Sequence, residues 1–201
     1  MSAGPVPPGL YLVATPIGNA RDITLRAIDI LRDADILAAE DTRTLRKLME
    51  IHGIPLRRRP LVAYHDHNGE RTRPRLLEAL AAGKSVVYAS DAGTPLVADP
   101  GYALARAAAV AGHPVTAAPG PSAALAALSL SGLPSDRFLF AGFLPPGSAA
   151  RASVLRELAR VPATLVVFEA PQRIAETVSE MIAVLGDREA ALCRELTKRF
   201  E

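Results

Sequence analysis

Short apolar runs alternate along this chain with amphipathic stretches, and the alternation is regular enough to predict layers. The run over 10–15 has the length of a buried strand, and 24–34 follows with Leu25, Ile28 and Leu31 on one helical face. The unit then repeats. A strand over 36–39 leads into a helix over 42–51 that stops at Gly53, and a strand over 61–64 leads into a helix ending at Gly83. A strand over 85–89 is followed by a helix over 101–111 with Gly112 behind it, and 115–118 supplies a further strand. Glycine just past the last periodic residue is the expected helix stop. Five strands alternating with four helices require a parallel or mostly parallel sheet covered on both faces.

The rhythm changes at Pro119-Gly120-Pro121, a rigid turn, after which Ser122 is a natural N-cap for an alanine-leucine helix running to Ser131. Beyond it the pattern predicts a strand over 137–143, a turn at Pro145-Pro146-Gly147, a helix over 152–160, a strand over 164–168, a helix over 172–185 and a strand over 190–195. The expected fold class is therefore α/β in two domains. Residues 1–118 carry a mostly parallel five-stranded sheet, and 119–201 carry a smaller mixed sheet. The chain stops just after the third strand of the second sheet, so that domain is expected to be incomplete.

Composition changes this picture little. With 49% hydrophobic and 22% charged residues the chain can bury a core and is not of the disordered class. The one cysteine, Cys193, follows Ala190, Ala191 and Leu192 and reads as a buried structural thiol. No basic leader and no apolar run of about 18 residues is present, which points to the cytoplasm and away from membranes. Charge is more informative by position than in total. The net value is only +2, yet residues 43–75 hold nine basic side chains against three acidic ones and three of the four histidines. Such a window attracts phosphates, although it also fits a solvated helix face and a basic loop.

Three loops bearing glycine or proline follow predicted strands: Thr15-Pro16-Ile17-Gly18-Asn19, Ser90-Asp91-Ala92-Gly93-Thr94-Pro95 and Pro119-Gly120-Pro121-Ser122-Ala123. Each singly reads as a tight turn, but in a parallel sheet such loops gather at the carboxyl edge, where ligands bind. None has the spacing of a phosphate-cradling or dinucleotide loop. Asp91 has no carboxylate or histidine partner near it in sequence and is suited to accept hydrogen bonds from a ribose diol or an ammonium. Two further polar clusters, Glu40-Asp41-Thr42-Arg43 and Tyr64-His65-Asp66-His67-Asn68, also follow strands. Glu40 and Asp41 equally fit helix capping, and the spacing of His65 and His67 does not suit a metal pair, so no metal site is expected. His52 and His113 read as structural. Arg173 can hold a phosphate, pair with Glu169, or lie on a helix surface.

Taken together, these loops and clusters, with Arg21-Asp22-Ile23-Thr24, residues 132–138, Gly142-Phe143-Leu144-Pro145, residues 168–173 and Arg194-Glu195-Leu196-Thr197-Lys198, resemble the tetrapyrrole methylase superfamily. Within it the resemblance is to the branch that methylates a cytidine 2′-hydroxyl of 16S ribosomal RNA. It covers nearly the whole chain and implies two α/β domains, S-adenosyl-L-methionine folded in the cleft between them, a homodimer, and small-subunit ribosomal RNA or the 30S particle as partner. Carried over by position, it implies cofactor contacts at Pro16, Ile17, Asp91, Thr94, Ser122, Ala123, Phe168, Glu169 and Ala170. The substrate side would use Arg43, His67, Asn68 and Arg173, with Glu40, Asp41 or His65 as the base that takes the hydroxyl proton. Two departures stand out: Gly69 precedes Glu70 where the family places glutamate directly after His-Asn, and family members extend beyond Glu201. The competing readings are methylation of a precorrin-type tetrapyrrole ring and a catalytically silent RNA-binding module.

Overall fold

A computed structural model describes residues 5–201; the first four residues of the expected N-terminal domain lie outside the described residues. Backbone contacts divide the chain into two compact units, the first running to Ser122 and the second from Ala123 to Glu201.

The first unit alternates β1 (Gly9–Val13), α1 (Leu25–Asp33), β2 (Ile36–Ala39), α2 (Thr42–Ile51), β3 (Leu61–Ala63), α3 (Gly69–Ala81), β4 (Ser85–Ala89), α4 (Tyr102–Val110) and β5 (Val115–Ala118). The five strands pair only in parallel, in the order β3-β2-β4-β1-β5. Successive strand residues point to opposite faces. Tyr11, Val13, Leu37, Ala39, Val87 and Ala89 accordingly pack against α1 and α2, whereas Leu10, Ile36, Ala38, Val86 and Tyr88 pack against α3 and α4. Two covered faces are why these strands read as unbroken apolar runs.

Two local expectations are corrected here. The predicted face of α1 included Leu25, but this first helical residue is 81% exposed, and the buried face is Ala27, Ile30 and Leu31. Thr24 caps the helix by accepting from the Ala27 N–H, which turns Leu25 away from the sheet. β1 also ends two residues short of the predicted Thr15, because Thr15 leaves the parallel ladder to pair with Gly93.

Arg59, read as part of a phosphate-attracting window, has a structural post. Its Nη1 donates to the carbonyls of Leu31 (2.7 Å) and Ala34 (3.0 Å), where α1 ends with carbonyls that have no intrahelical donor. Its Nε and Nη2 donate to the carbonyls of Leu56 and Pro55.

The second unit contains α5 (Ala123–Leu130), β6 (Phe138–Phe143), α6 (Ser148–Leu158), β7 (Thr164–Phe168) and α7 (Ile174–Leu185). Its sheet is the parallel pair β6-β7, with an irregularity between Phe140 and Gly142. Leu144, Leu155 and Leu158 form its small core with Leu139, Val167 and Met181. Arg151 is fully buried beside them, donating to Glu176, Glu180 and the Pro146 carbonyl; hydrogen bonding to Glu180 raises its pKa.

The strand expected over 190–195 is absent: the segment has no regular structure, and Leu192 is 72% exposed. Four apolar residues followed by Arg194 and Glu195 lack the alternation that would give a strand one buried face. Cys193 is correspondingly only half-buried, its thiol 4.0 Å from the Ala127 carbonyl. Among the described residues no helix is long and apolar enough to cross a membrane.

Candidate functional site

Because β1 lies between β4 and β5, the three loops singled out in the sequence emerge side by side at the carboxyl edge of the sheet. They are bonded to one another. Thr15 and Gly93 exchange backbone hydrogen bonds of 3.0 and 2.9 Å, an antiparallel bridge at the rim of a parallel sheet. The Thr15 hydroxyl donates to the Ser90 carbonyl (3.0 Å), the Ser90 hydroxyl to the Gly93 carbonyl (2.6 Å), and the Thr94 hydroxyl to the Pro121 carbonyl (3.0 Å). Gly93 sits at φ +78°, and a Cβ there would come within 3.4 Å of Ile17, so glycine serves both the turn and the close approach.

A fourth loop joins through Asp91. Its Oδ1 accepts from the Asp41 N–H (2.9 Å), tying the end of β4 to the start of α2, while its other oxygen has no partner among the described residues. Burial and then the nearby charges of Asp41 and Asp99 push Asp91 above the ordinary aspartate pKa, against the lowering effect of the Asp41 N–H and Arg43. Asp41 caps α2 by accepting from the Arg43 N–H (2.8 Å) and also pairs with the Arg43 guanidinium (2.6 Å). These bonds hold it at a pKa of about 2. Glu40 differs: burial first, then the charges of Asp91, Asp99, Asp66 and Asp41, raise its pKa.

Asp99 has a role that the sequence reading missed. Its Oδ1 accepts from the Tyr88 hydroxyl (2.7 Å) and from the N–H groups of Gly101 (2.9 Å) and Leu96 (3.3 Å). It thereby organises the loop that carries Asp91 and Thr94. Leu96 and Ala98 adopt left-handed φ values of 70° and 56°, which side-chain-bearing residues hold only under constraint. The visible signal was Asp99-Pro100-Gly101, three turn-forming residues shortly after the Ser90 to Pro95 loop.

The loop after β3 holds His65, His67 and Asn68. Asn68 closes it, accepting from the His65 N–H (2.9 Å) and donating to the Ala63 carbonyl (3.0 Å), so its amide is already engaged. His67 is exposed, with its ring 6.0 Å from that of His65. The His65 Nδ1 is buried without a partner among the described residues. His52 is structural: its ring bonds to the Ala20 carbonyl.

Beside these loops, α2 and residues 16–20 enclose a groove of about 300 Å³, with Thr44, Lys47, Leu48 and Ile51 on the helix side and Asp91 in its lining. The basic window divides. Arg59 holds carbonyls, Arg43 pairs with Asp41 and Arg73 donates to the Tyr64 hydroxyl, whereas Arg46, Lys47, Arg57, Arg58, Arg71 and Arg75 are exposed.

In the second unit the Phe168 ring packs edge-on against Phe140 and Phe143. Burial pushes the Glu169 carboxyl upward, but donation from the Thr177 hydroxyl, the Ala170 N–H and Arg173 outweighs it and leaves the pKa below the ordinary value. Of the readings open for Arg173, pairing with Glu169 is the one observed, at 2.5 Å. Ala123 opens α5 as a half-buried residue, and half-buried Ser122 precedes it.

The geometry can be set beside known proteins. The family model of the tetrapyrrole (corrin/porphyrin) methylases matches residues 9–201. A protein named ribosomal RNA small subunit methyltransferase I from Mesorhizobium japonicum is 56% identical over 99% of this chain and 67% of its own length. Its namesake from Xylella fastidiosa is 50% identical over 97% of this chain and 71% of its own. The chain thus spans about two thirds of the length of these curated relatives. Among solved structures, a diphthine synthase superposes with a TM-score of 0.64 at 20% identity, over 87% of this chain and 70% of that one. The uroporphyrin III C-methyltransferase of Thermus thermophilus gives 0.59 at 25% identity, over 89% and 77%. On the family match and on these identities over nearly all of this chain, it belongs to the tetrapyrrole (corrin/porphyrin) methylase family and, within it, to the group of ribosomal RNA small subunit methyltransferase I.

Proposed function

We propose that this chain transfers a methyl group from S-adenosylmethionine to the 2′-hydroxyl of a cytidine in small-subunit ribosomal RNA, acting as a homodimer. The names of the relatives support the RNA substrate, and the motif resemblance supports the cytidine 2′-oxygen. The observation that carries the donor site is the bonded set of loops at the ends of β1, β4 and β5, with an Asp91 oxygen that has no partner among the described residues.

The residues fit the cofactor. Pro16, Ile17, Gly93 and Thr94 offer small or apolar surface and close backbone approach, and Asp91 offers a charged acceptor for a ribose diol or an ammonium. The cofactor, when bound, supplies an activated methyl group on a sulfonium. The protein's part is to hold the acceptor hydroxyl in line and take its proton, and positioning alone can supply much of such an acceleration. Among the candidates Glu40 suits the proton better than Asp41. A carboxylate raised by burial and like charges is the stronger base, whereas Asp41 is occupied by its cap and by Arg43.

Asp91→Ala removes a charge-assisted hydrogen bond of about 1.5 to 3 kcal/mol, so cofactor binding should weaken roughly ten- to a hundredfold. Calorimetric titration of S-adenosylhomocysteine into both proteins measures it, and an unchanged Kd would remove Asp91 from the site. Nucleoside mass spectrometry of treated small-subunit RNA tests the chemistry: absence of 2′-O-methylcytidine sinks the cytidine assignment.

A further inference from the structure

Helix α2 presents two working faces. Leu45 and Met49 are buried in the core of the first unit. Thr44, Lys47, Leu48 and Ile51 recur at the i, i+3, i+4, i+7 spacing of a single helix stripe and line the groove instead. Ile51 is 56% exposed, a large apolar residue that the core does not use. Lys47 forms no ion pair among the described residues, unlike Arg43 one turn earlier, which is bound to Asp41.

We propose that this groove seats the nucleotide to be methylated, with Lys47 holding its phosphate and Ile51 supporting its base; the inference rests on the RNA methyltransferase reading above. The groove brings an ammonium and a hydroxyl, from Lys47 and Thr44, together with the Asp91 carboxylate and apolar surface from Pro16 and Ile51. A bare phosphate would meet the Asp91 charge, and a purely apolar ligand would cover the Lys47 and Asp91 charges without giving either a new partner. A nucleotide matches all of it, with phosphate at Lys47 and Thr44, base against the apolar surface and sugar hydroxyls toward Asp91. A volume of about 300 Å³ lies at the small end of ligand sites, suited to one nucleotide rather than a strand. The groove lies on the α2 side of Asp91, whereas Thr94 bonds to Pro121 in the loop after β5. Asp91 then stands between donor and acceptor.

Lys47→Met and Ile51→Asp alter exposed side chains, and thermal unfolding checks that both proteins remain folded. Three measurements follow on wild type and variants: calorimetry with S-adenosylhomocysteine, anisotropy of a labelled single-stranded RNA containing cytidine across a salt series, and KM and kcat on small-subunit ribosomal RNA. Lys47→Met should lower the slope of log affinity against log salt by about 0.7, the value for one phosphate contact on a single strand. It should also raise KM for RNA roughly tenfold with S-adenosylhomocysteine affinity intact, a loss of about 1.4 kcal/mol in binding. Lys47→Arg should restore the slope, and Ile51→Asp should raise KM. An unchanged slope and KM overturn the groove as the RNA seat, and a fall in S-adenosylhomocysteine affinity assigns it to the cofactor instead. A wild type that methylates no RNA overturns the functional reading and this inference with it, whereas an active wild type with unaffected variants overturns the groove alone.

Discussion

Replacing Arg59 with methionine keeps most of the side chain's length while deleting its charge and four hydrogen bonds to carbonyls. A hydrogen bond from a charged donor contributes about 1.5 to 3 kcal/mol, but these four do not weigh equally. The carbonyls of Pro55 and Leu56 belong to a turn near the surface and can rotate toward water. Those of Leu31 and Ala34 belong to residues with no exposed surface and would lose their donor outright. Counting only this pair, with a discount for the half-exposed guanidinium, the expected loss is about 2 to 4 kcal/mol. In a chain of this size each kcal/mol moves Tm by about 2 to 4 °C, so the transition of the first unit should fall by roughly 4 to 16 °C. Arg58→Met, at an exposed neighbouring position, is the control and should stay within about 0.5 kcal/mol of wild type. Circular dichroism melts of the three proteins measure this, and the gap should persist in 0.5 M salt because the acceptors are carbonyls rather than ions. Equal melting of the two variants would refute the carbonyl-holding role and return Arg59 to the solvated basic surface.

Two other substitutions test the site. Glu40→Gln should lower turnover while raising stability at neutral pH, because burial and like charges lift the folded pKa above its ordinary 4.5 and so penalise the ionised form. That penalty is full above the folded pKa and vanishes below 4.5; melts across pH should therefore converge in acid, and a destabilised Gln variant at neutral pH would contradict the raised value. Gly101→Ala would place a Cβ 2.3 Å from the Tyr88 ring, and such overpacking typically costs about 1 to 3 kcal/mol. An unshifted urea midpoint would show that the loop yields without cost.

The layers of the first unit were legible because its central strands β1, β2 and β4 are covered on both faces and three of its four helices stop at a glycine, signals carried by adjacent residues. The failures share a different cause. The apolar stretch at Ala190 to Cys193 could not announce that it has no strand to pair with, because a strand needs a partner far away in sequence. Leu25 fits helical spacing, and only the cap at Thr24 reveals that it opens the helix facing outward. Arg59 sits between Arg58 and Pro60 like any surface arginine, while its two buried acceptors lie 25 and 28 residues earlier. Asp91 stood out because its loop follows a strand of a parallel sheet and no carboxylate or histidine lies near it in sequence. Asp99 did not, although it fixes the same loop, because its partners become visible only once Tyr88 and Gly101 are folded against it. The division of labour between Glu40 and Asp41 was likewise beyond the sequence, since both fit a cap and only one makes it.

The strand order has a consequence for how the chain comes off the ribosome. Of the five strands β1 is synthesised first, yet it pairs only with β4 and β5, so it must wait for a neighbour that begins about seventy residues later at Ser85. At the usual pace of about 5 to 20 residues per second, that leaves an apolar segment without a partner for several seconds of translation. During that interval β2 and β3 can form a hairpin-free parallel pair with nothing to join it to the N-terminus. The arrival of β4 between β1 and β2 is then the step that joins β1 to the strands made after it, and a slowly translated 85–89 segment would lengthen the period in which that apolar strand stays unpaired.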